Sequence, residues 1–265
     1  MAEPDWYASR SHAGLVRSGN EDRALTRPPL FAVADGMGGH RAGEVASELA
    51  VSLLAASVER DPAPDGDAIV QAITESNAAI RREARSRPEL VGMGTTCTVA
   101  LVDPEIRIAH VGDSRVYLLR DGQLRQLTTD HSLVAQMVGE GIVAPDAAEA
   151  RDVRHIITRA LGADDDVQVD VVTADRRPGD RLLLCTDGLH GQVDDEAIGR
   201  ILAEPAGPAD AADRLIAAAN EAGGEDNVTV IVVDLDRGLP AATARPSGSR
   251  LQIRLPAWIR GRRPG

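Results

Sequence analysis

The chain has 265 residues, 43% of them hydrophobic, enough for one large domain with a full core. Its net charge of −12 and its five aromatics (Trp6, Tyr7, Phe31, Tyr117, Trp258) argue against nucleic acid as a partner, which needs cationic grooves and stacking platforms. No lysine occurs, which excludes a Walker-type phosphate loop, a kinase catalytic lysine and a Schiff-base lysine.

Weak alternation over 7–17 predicts a first strand, followed by the polar loop Ser18-Gly19-Asn20-Glu21-Asp22. The apolar run 30–34 predicts a buried strand that ends in Asp35-Gly36 and a flexible, glycine-rich turn to His40. Residues 42–60 read as a helix with Val45, Leu49, Leu53 and Leu54 inward, ended by the Pro-rich break 61–64. A second helix follows over about 66–86, with Ile69, Ile73 and Ile80 inward. Strands are predicted at 94–102, 106–111, 115–120 and 123–127, the last two joined by an Asp121-Gly122 hairpin turn. A short helix around 132–139 leads into a Gly/Ala/Pro/Asp-rich segment. Then come a strand pair at 167–173 and 180–186, helices at 194–203 and 208–222, and a last strand at 227–235. Mostly sequential strands with segregated helix pairs imply antiparallel sheets covered by helices, an α+β class with one domain over residues 1–237.

Residues 238–265 carry six Arg and no acid, a charge of +6 against −18 on the rest, behind a Pro/Gly/Ser linker near 240–249. This basic tail is expected to be flexible. Its interleaved Leu251, Ile253, Leu255, Trp258 and Ile259 leave three readings open. They are a solvated terminus, docking on the acidic body, and weak contact with an anionic membrane. Cys97 and Cys185 read as buried strand residues; nothing in the sequence supports a disulfide between them, and two thiols so placed do not make a zinc site. No signal peptide and no membrane-spanning run is evident, so the cytoplasm is the expected compartment; the chain is expected to be a monomer.

Four apolar runs carry an acid at one end: Asp35, Asp113, Asp187 and Asp226. Each would aim a hard oxygen out of a rigid strand. If they meet unpaired by Arg they repel, and the site needs divalent cations. An all-oxygen donor set selects Mg²⁺ or Mn²⁺ over zinc. Any single Asp-Gly step is more often an ordinary turn: Asp121-Gly122 reads as a hairpin turn and Asp65-Gly66 as a polar linker step before a helix. The signal is the ensemble.

The ordered motifs are Arg17-Ser18-Gly19-Asn20-Glu21-Asp22, Asp35-Gly36-Met37-Gly38-Gly39-His40, Gly94-Thr95-Thr96, Gly112-Asp113-Ser114-Arg115, Thr186-Asp187-Gly188 and Asp226-Asn227. With them the chain resembles the metal-dependent serine/threonine protein phosphatases of the PPM type, the 2C class, and most of all their small bacterial members, over about 7–235. The resemblance implies two antiparallel sheets packed as a sandwich, with a helix pair on each outer face and a two-metal centre at one end. It implies that Asp35 bridges two Mn²⁺ or Mg²⁺ ions and that Gly36 offers one of them its carbonyl. Asp187 and Asp226 would hold the other. Glu21 and Asp22 would hold metal-bound waters, and Asp113 a third ion.

Such a centre activates water for in-line attack on phosphorus. Arg17 fits the non-bridging phosphate oxygens, or is a strand-end surface residue. Some relatives have a His directly after the Asp-Gly that protonates the leaving oxygen; here Met37 stands there. His40 could reach the site or cap the next helix. His110 reads as a satisfied core residue, and His131, His155 and His190 as surface or packing residues. Residues 130–160 match the family's flap, a plausible gate for protein substrates. Thr186 stands where many bacterial members have Ser, and His190 where they have Ser or Thr.

The implied function is hydrolysis of phosphoserine and phosphothreonine in proteins, opposing a bacterial serine/threonine kinase. An alternative is a non-catalytic phosphoprotein-binding or regulatory domain, which a lost metal aspartate would signal; none is lost. A third is a phosphatase that switches a partner-binding regulator, such as an anti-sigma-factor antagonist.

Overall fold

The computed structural model describes residues 4–38, 42–61, 64–102, 105–144, 153 and 156–236, and the backbone of 252–253. In chain order the strands are β1 (Tyr7–His12), β2 (Arg23–Arg27), β3 (Leu30–Ala34), β4 (Gly36–Met37), β5 (Gly94–Thr95), β6 (Cys97–Leu101) and β7 (Ile106–Val111). They continue with β8 (Arg115–Arg120), β9 (Gln123–Gln126), β10 (Asp170–Ala174), β11 (Arg181–Cys185), β12 (Val228–Asp234) and β13 (Gln252–Ile253). The helices are α1 (Ala42–Arg60), α2 (Gly66–Ser86), α3 (Leu133–Gly139), α4 (Asp187–His190), α5 (Asp195–Ala203) and α6 (Pro208–Glu221).

The continuous apolar runs become strands covered on both sides: β3 and β6 are buried at every residue. One sheet has the order β13-β10-β7-β6-β3-β2, the other β1-β12-β11-β8-β9, and the pairs are antiparallel. Phe31, Val33 and Ile108 of the first sheet meet Val116, Leu184 and Ile231 of the second in the central layer. Their alternates face outward. Leu30, Ala32 and Val99 pack on α1 and α2, while Tyr117, Leu183 and Val230 pack on α5 and α6. This is the expected four-layer αββα sandwich.

Several details differ from the sequence reading. β1 stops at His12, because Gly14 takes φ +77° and turns the chain away. β2 has no counterpart among the predicted elements, because only Leu25 of its five residues is buried and no apolar run marks it. The 94–102 strand is split at Thr96, since β5 leaves the main sheet to pair with β4, the predicted flexible turn. β10 and β11 do not pair with each other. β10 lies beside β7, whereas β11 lies between β8 and β12 in the opposite sheet.

The deepest face of α1 is Ala42, Gly43, Ala46, Ser47, Ala50 and Leu54, with Val45 and Leu49 at its margin. Small residues let this helix approach the sheet closely. The Asp121-Gly122 turn holds, with both residues at positive φ (51° and 74°). Both cysteines are buried and free. No described helix is long and apolar enough to cross a membrane. Of the basic tail, only the backbone of β13 is described, at the edge beside β10.

Candidate metal centre

One end of the sandwich collects the acids. Asp35 follows β3, Asp113 follows β7, Asp187 follows β11 by one residue, and Asp226 precedes β12. The antiparallel order puts these termini together: β3 and β7 flank β6 and run the same way, and β11 ends where β12 begins. A cleft of about 550 Å³ opens there, lined among others by Arg17, Glu21, Asp35, Gly36, Asp187 and Asp226. Asp22 and Asp113 are buried and stand outside the lining set.

The acids perturb one another. Burial raises the Asp35 carboxyl well above the usual range, helped by the charges of Asp22, Asp187 and Asp113. Burial pushes Asp22 up to about 7 against its hydroxyl hydrogen bonds, with Asp187 and Asp226 adding to the rise. Asp113 is pushed up to about 8 by burial, then by Asp187 and Asp130. Oδ1 of Asp22 and Oδ1 of Asp113 are buried with no hydrogen-bond partner. Mutually repelling carboxylates with orphaned oxygens suit hard divalent cations. Among the described residues, however, no three His, Cys, Asp or Glu side chains already surround one point closely enough to ligate an ion. The acids are gathered but not closed.

A polar scaffold fixes the gathering. Thr186 Oγ donates to Asp22 Oδ2 at 2.8 Å and accepts from the Thr229 amide at 3.0 Å. The Asp35 amide donates to Thr96 Oγ, which also contacts Ser114 Oγ beside Asp113. Asn227 Oδ1 accepts from the Glu21 amide, and its Nδ2 donates to the carbonyls of Ala13 and Gly19. That clamps the loop bearing Arg17 and Glu21 against β12. His190 Nε2 donates to the Asp113 carbonyl at 3.0 Å, and burial first, then Arg115, lowers this imidazole to about 3.

Close backbone approach requires two of the glycines. A Cβ on Gly36 would lie 2.2 Å from the Gly43 carbonyl oxygen, and one on Gly188 would lie 2.0 Å from that of Asn227. Thr186 and Asn227 adjoin the motif acids, and that adjacency was the available signal for their roles. Thr96, Ser47, Gly43 and His190 gave none.

Arg17 lines the cleft and forms an ion pair with Asp226 at 2.7 Å. His110 is a buried core residue, stacked on His131 at 4.7 Å and lowered to about 3 by burial, then by His131. His131 is also buried, its Nδ1 accepting from the Gly112 amide at 3.0 Å. His40, His155 and much of the flap lie outside the described residues.

The sequence pattern of the family described as Protein phosphatase 2C matches residues 19–223. The chain belongs to this family. It is 43% identical over 265 residues to "Serine/threonine protein phosphatase PstP" of Mycobacterium tuberculosis, a match covering 97% of this chain and 51% of that protein. The chain thus spans about half the length of that relative. It is 40% identical over 243 residues to "Serine/threonine phosphatase stp" of Listeria monocytogenes, covering 86% of this chain and 94% of the other. The crystal structure of the M. tuberculosis phosphatase superposes with a TM-score of 0.81 at 44% identity, covering 87% and 98% of the two chains. The catalytic domain of PstP in complex with two manganese ions gives 0.78 at 44%, covering 86% and 96%. A sandwich fold flanked by helices is thus what this 2C-family chain holds in common with solved relatives.

Proposed function

We propose that this chain is a protein phosphatase that hydrolyses phosphoserine and phosphothreonine, using two Mn²⁺ or Mg²⁺ ions and a third at Asp113. The observation that carries the reading is the gathering of Asp22, Asp35, Asp113, Asp187 and Asp226 at one strand end, with buried oxygens of Asp22 and Asp113 left without partners. When bound, the ions supply Lewis acidity and an activated water for in-line attack on phosphorus.

Asp35, the Gly36 carbonyl, Asp187 and Asp226 are the proposed ligands, and Glu21 and Asp22 order the surrounding water. Arg17 reaches the non-bridging phosphate oxygens from the cleft wall, where a guanidinium fork matches their geometry. His40 is the proposed proton donor to the leaving oxygen. The proposed substrates are phosphoproteins of the cytoplasm, including a serine/threonine kinase that the enzyme opposes, and the working form is a monomer.

The test is release of phosphate from a chromogenic ester with Mn²⁺, with Mg²⁺, and with excess chelator. Turnover that the chelator abolishes supports a phosphatase. Binding of a phosphoprotein without turnover under any metal would instead support a non-catalytic domain.

A further inference from the structure

We infer that the cleft selects phosphorylated segments with aliphatic residues beside the phosphosite; this rests on the phosphatase reading above. The lining acids share the cleft with Val16, Met37 and Ile157. Val16 and Ile157 come from distant parts of the chain, and each adjoins another exposed aliphatic. Leu15 is 67% exposed, Val16 69% and Ile156 47%.

These residues stand on fixed backbone. The amides of Leu15 and Val16 donate to the Gly224 carbonyl at 2.7 and 3.3 Å. The Ile156 carbonyl accepts from the Leu133 amide at 2.8 Å, and Ile157 forms a bridge with Ser132. Single exposed aliphatics need no explanation, but Val16, Met37 and Ile157 gathered at one cleft form a contact surface. Its occupant is the substrate segment, because that segment must lie across this cleft to place its phosphate.

Aliphatic neighbours of the phosphosite bury against Val16, Met37 and Ile157.

The test compares two phosphothreonine peptides, flanked by Val and Leu or by Gly and Ser. The wild type should favour the aliphatic peptide about 10-fold in kcat/KM over the Gly/Ser peptide. The double variant Val16→Ser/Ile157→Ser should bring the two within about 3-fold, mainly through KM. Equal kcat/KM values for the wild type, or a preference that survives in the variant, would overturn the inference. If the wild type with Mn²⁺ fails even on a chromogenic ester, the phosphatase reading fails instead. Fluorescence anisotropy with peptides bearing a non-hydrolysable phosphonate then decides selectivity by itself: the same ranking sustains it, and equal affinities refute it.

Discussion

Nη2 of Arg17 donates to Oδ2 of Asp226 at 2.7 Å, joining two cleft residues 209 positions apart in the chain. The other oxygen of Asp226 accepts the Asn227 amide at 2.8 Å. The Arg17 side chain is 57% exposed, so solvent screening leaves the pair worth only about 0–1 kcal/mol. Arg17 is therefore cheaply released to a phosphate. Arg17→Ala should lower kcat/KM for a phosphate ester by about 10- to 100-fold, the worth of one charge-assisted contact, while the number of bound ions stays the same. Steady-state kinetics beside a metal titration checks this; unchanged kinetics would leave Arg17 as a surface ion-pair partner.

Asp113 sits behind the cleft with a partnerless Oδ1. If it holds the third ion alone, Asp113→Ala should retain two bound ions and still lose turnover by about 10-fold or more. Elemental analysis gives the stoichiometry. A variant that binds no ion at all would place Asp113 in the core pair.

pH acts on the metal-free protein with a definite sign. Burial, reinforced by neighbouring carboxylates, holds Asp22 protonated up to about 7 and Asp113 up to about 8, both above the ordinary 3.8. The native state then binds more protons than the unfolded chain between those limits, so stability falls as pH rises through this range. His110 and His190, lowered to about 3, act oppositely only below about 6.5, where unfolded imidazoles charge. The clean window is therefore pH 6.5 to 8. The melting temperature in excess chelator should drop there by about 2 °C or more, and stabilisation by added Mn²⁺ should grow. A melting temperature that rises with pH in chelator would contradict the raised carboxyls.

Asn227 makes three hydrogen bonds that tie the 13–21 loop to β12. Asn227→Ala should cost roughly 2 kcal/mol, because the part-buried Glu21 amide loses its acceptor. Urea unfolding measures the loss, and a change under about 0.5 kcal/mol would show that the loop is held elsewhere.

Much of this fold could be read from sequence because buried strands here are continuous apolar runs, and the decisive acids sit at their ends. Leu30–Ala34 and Arg181–Cys185 show both features. Elements with mixed faces could not be read so. β2 buries one residue between charged ends, and the inner face of α1 is made mostly of Ala, Gly and Ser, with Leu54 the only Leu among its buried residues. The crossing of the chain from β10 to β11 between sheets was hidden, because adjacency in sequence suggests pairing. At the site, ligand candidates were legible as carboxylates in motifs. Thr96 accepts from the Asp35 amide, Ser47 donates to the Glu21 carbonyl and His190 to that of Asp113, and such isolated contacts leave no periodic trace.

The most direct measurement is phosphate release from a phosphothreonine protein by the wild type and by Asp35→Asn, each with Mn²⁺ and with excess chelator. Asp35 is the acid that interacts with Asp22, Asp187 and Asp113 together. The wild type should turn over only with metal, and Asp35→Asn should lose most activity while its melting curve shows a folded protein. Full activity of Asp35→Asn, or of the wild type in chelator, would contradict a metal-dependent phosphatase built on these carboxylates.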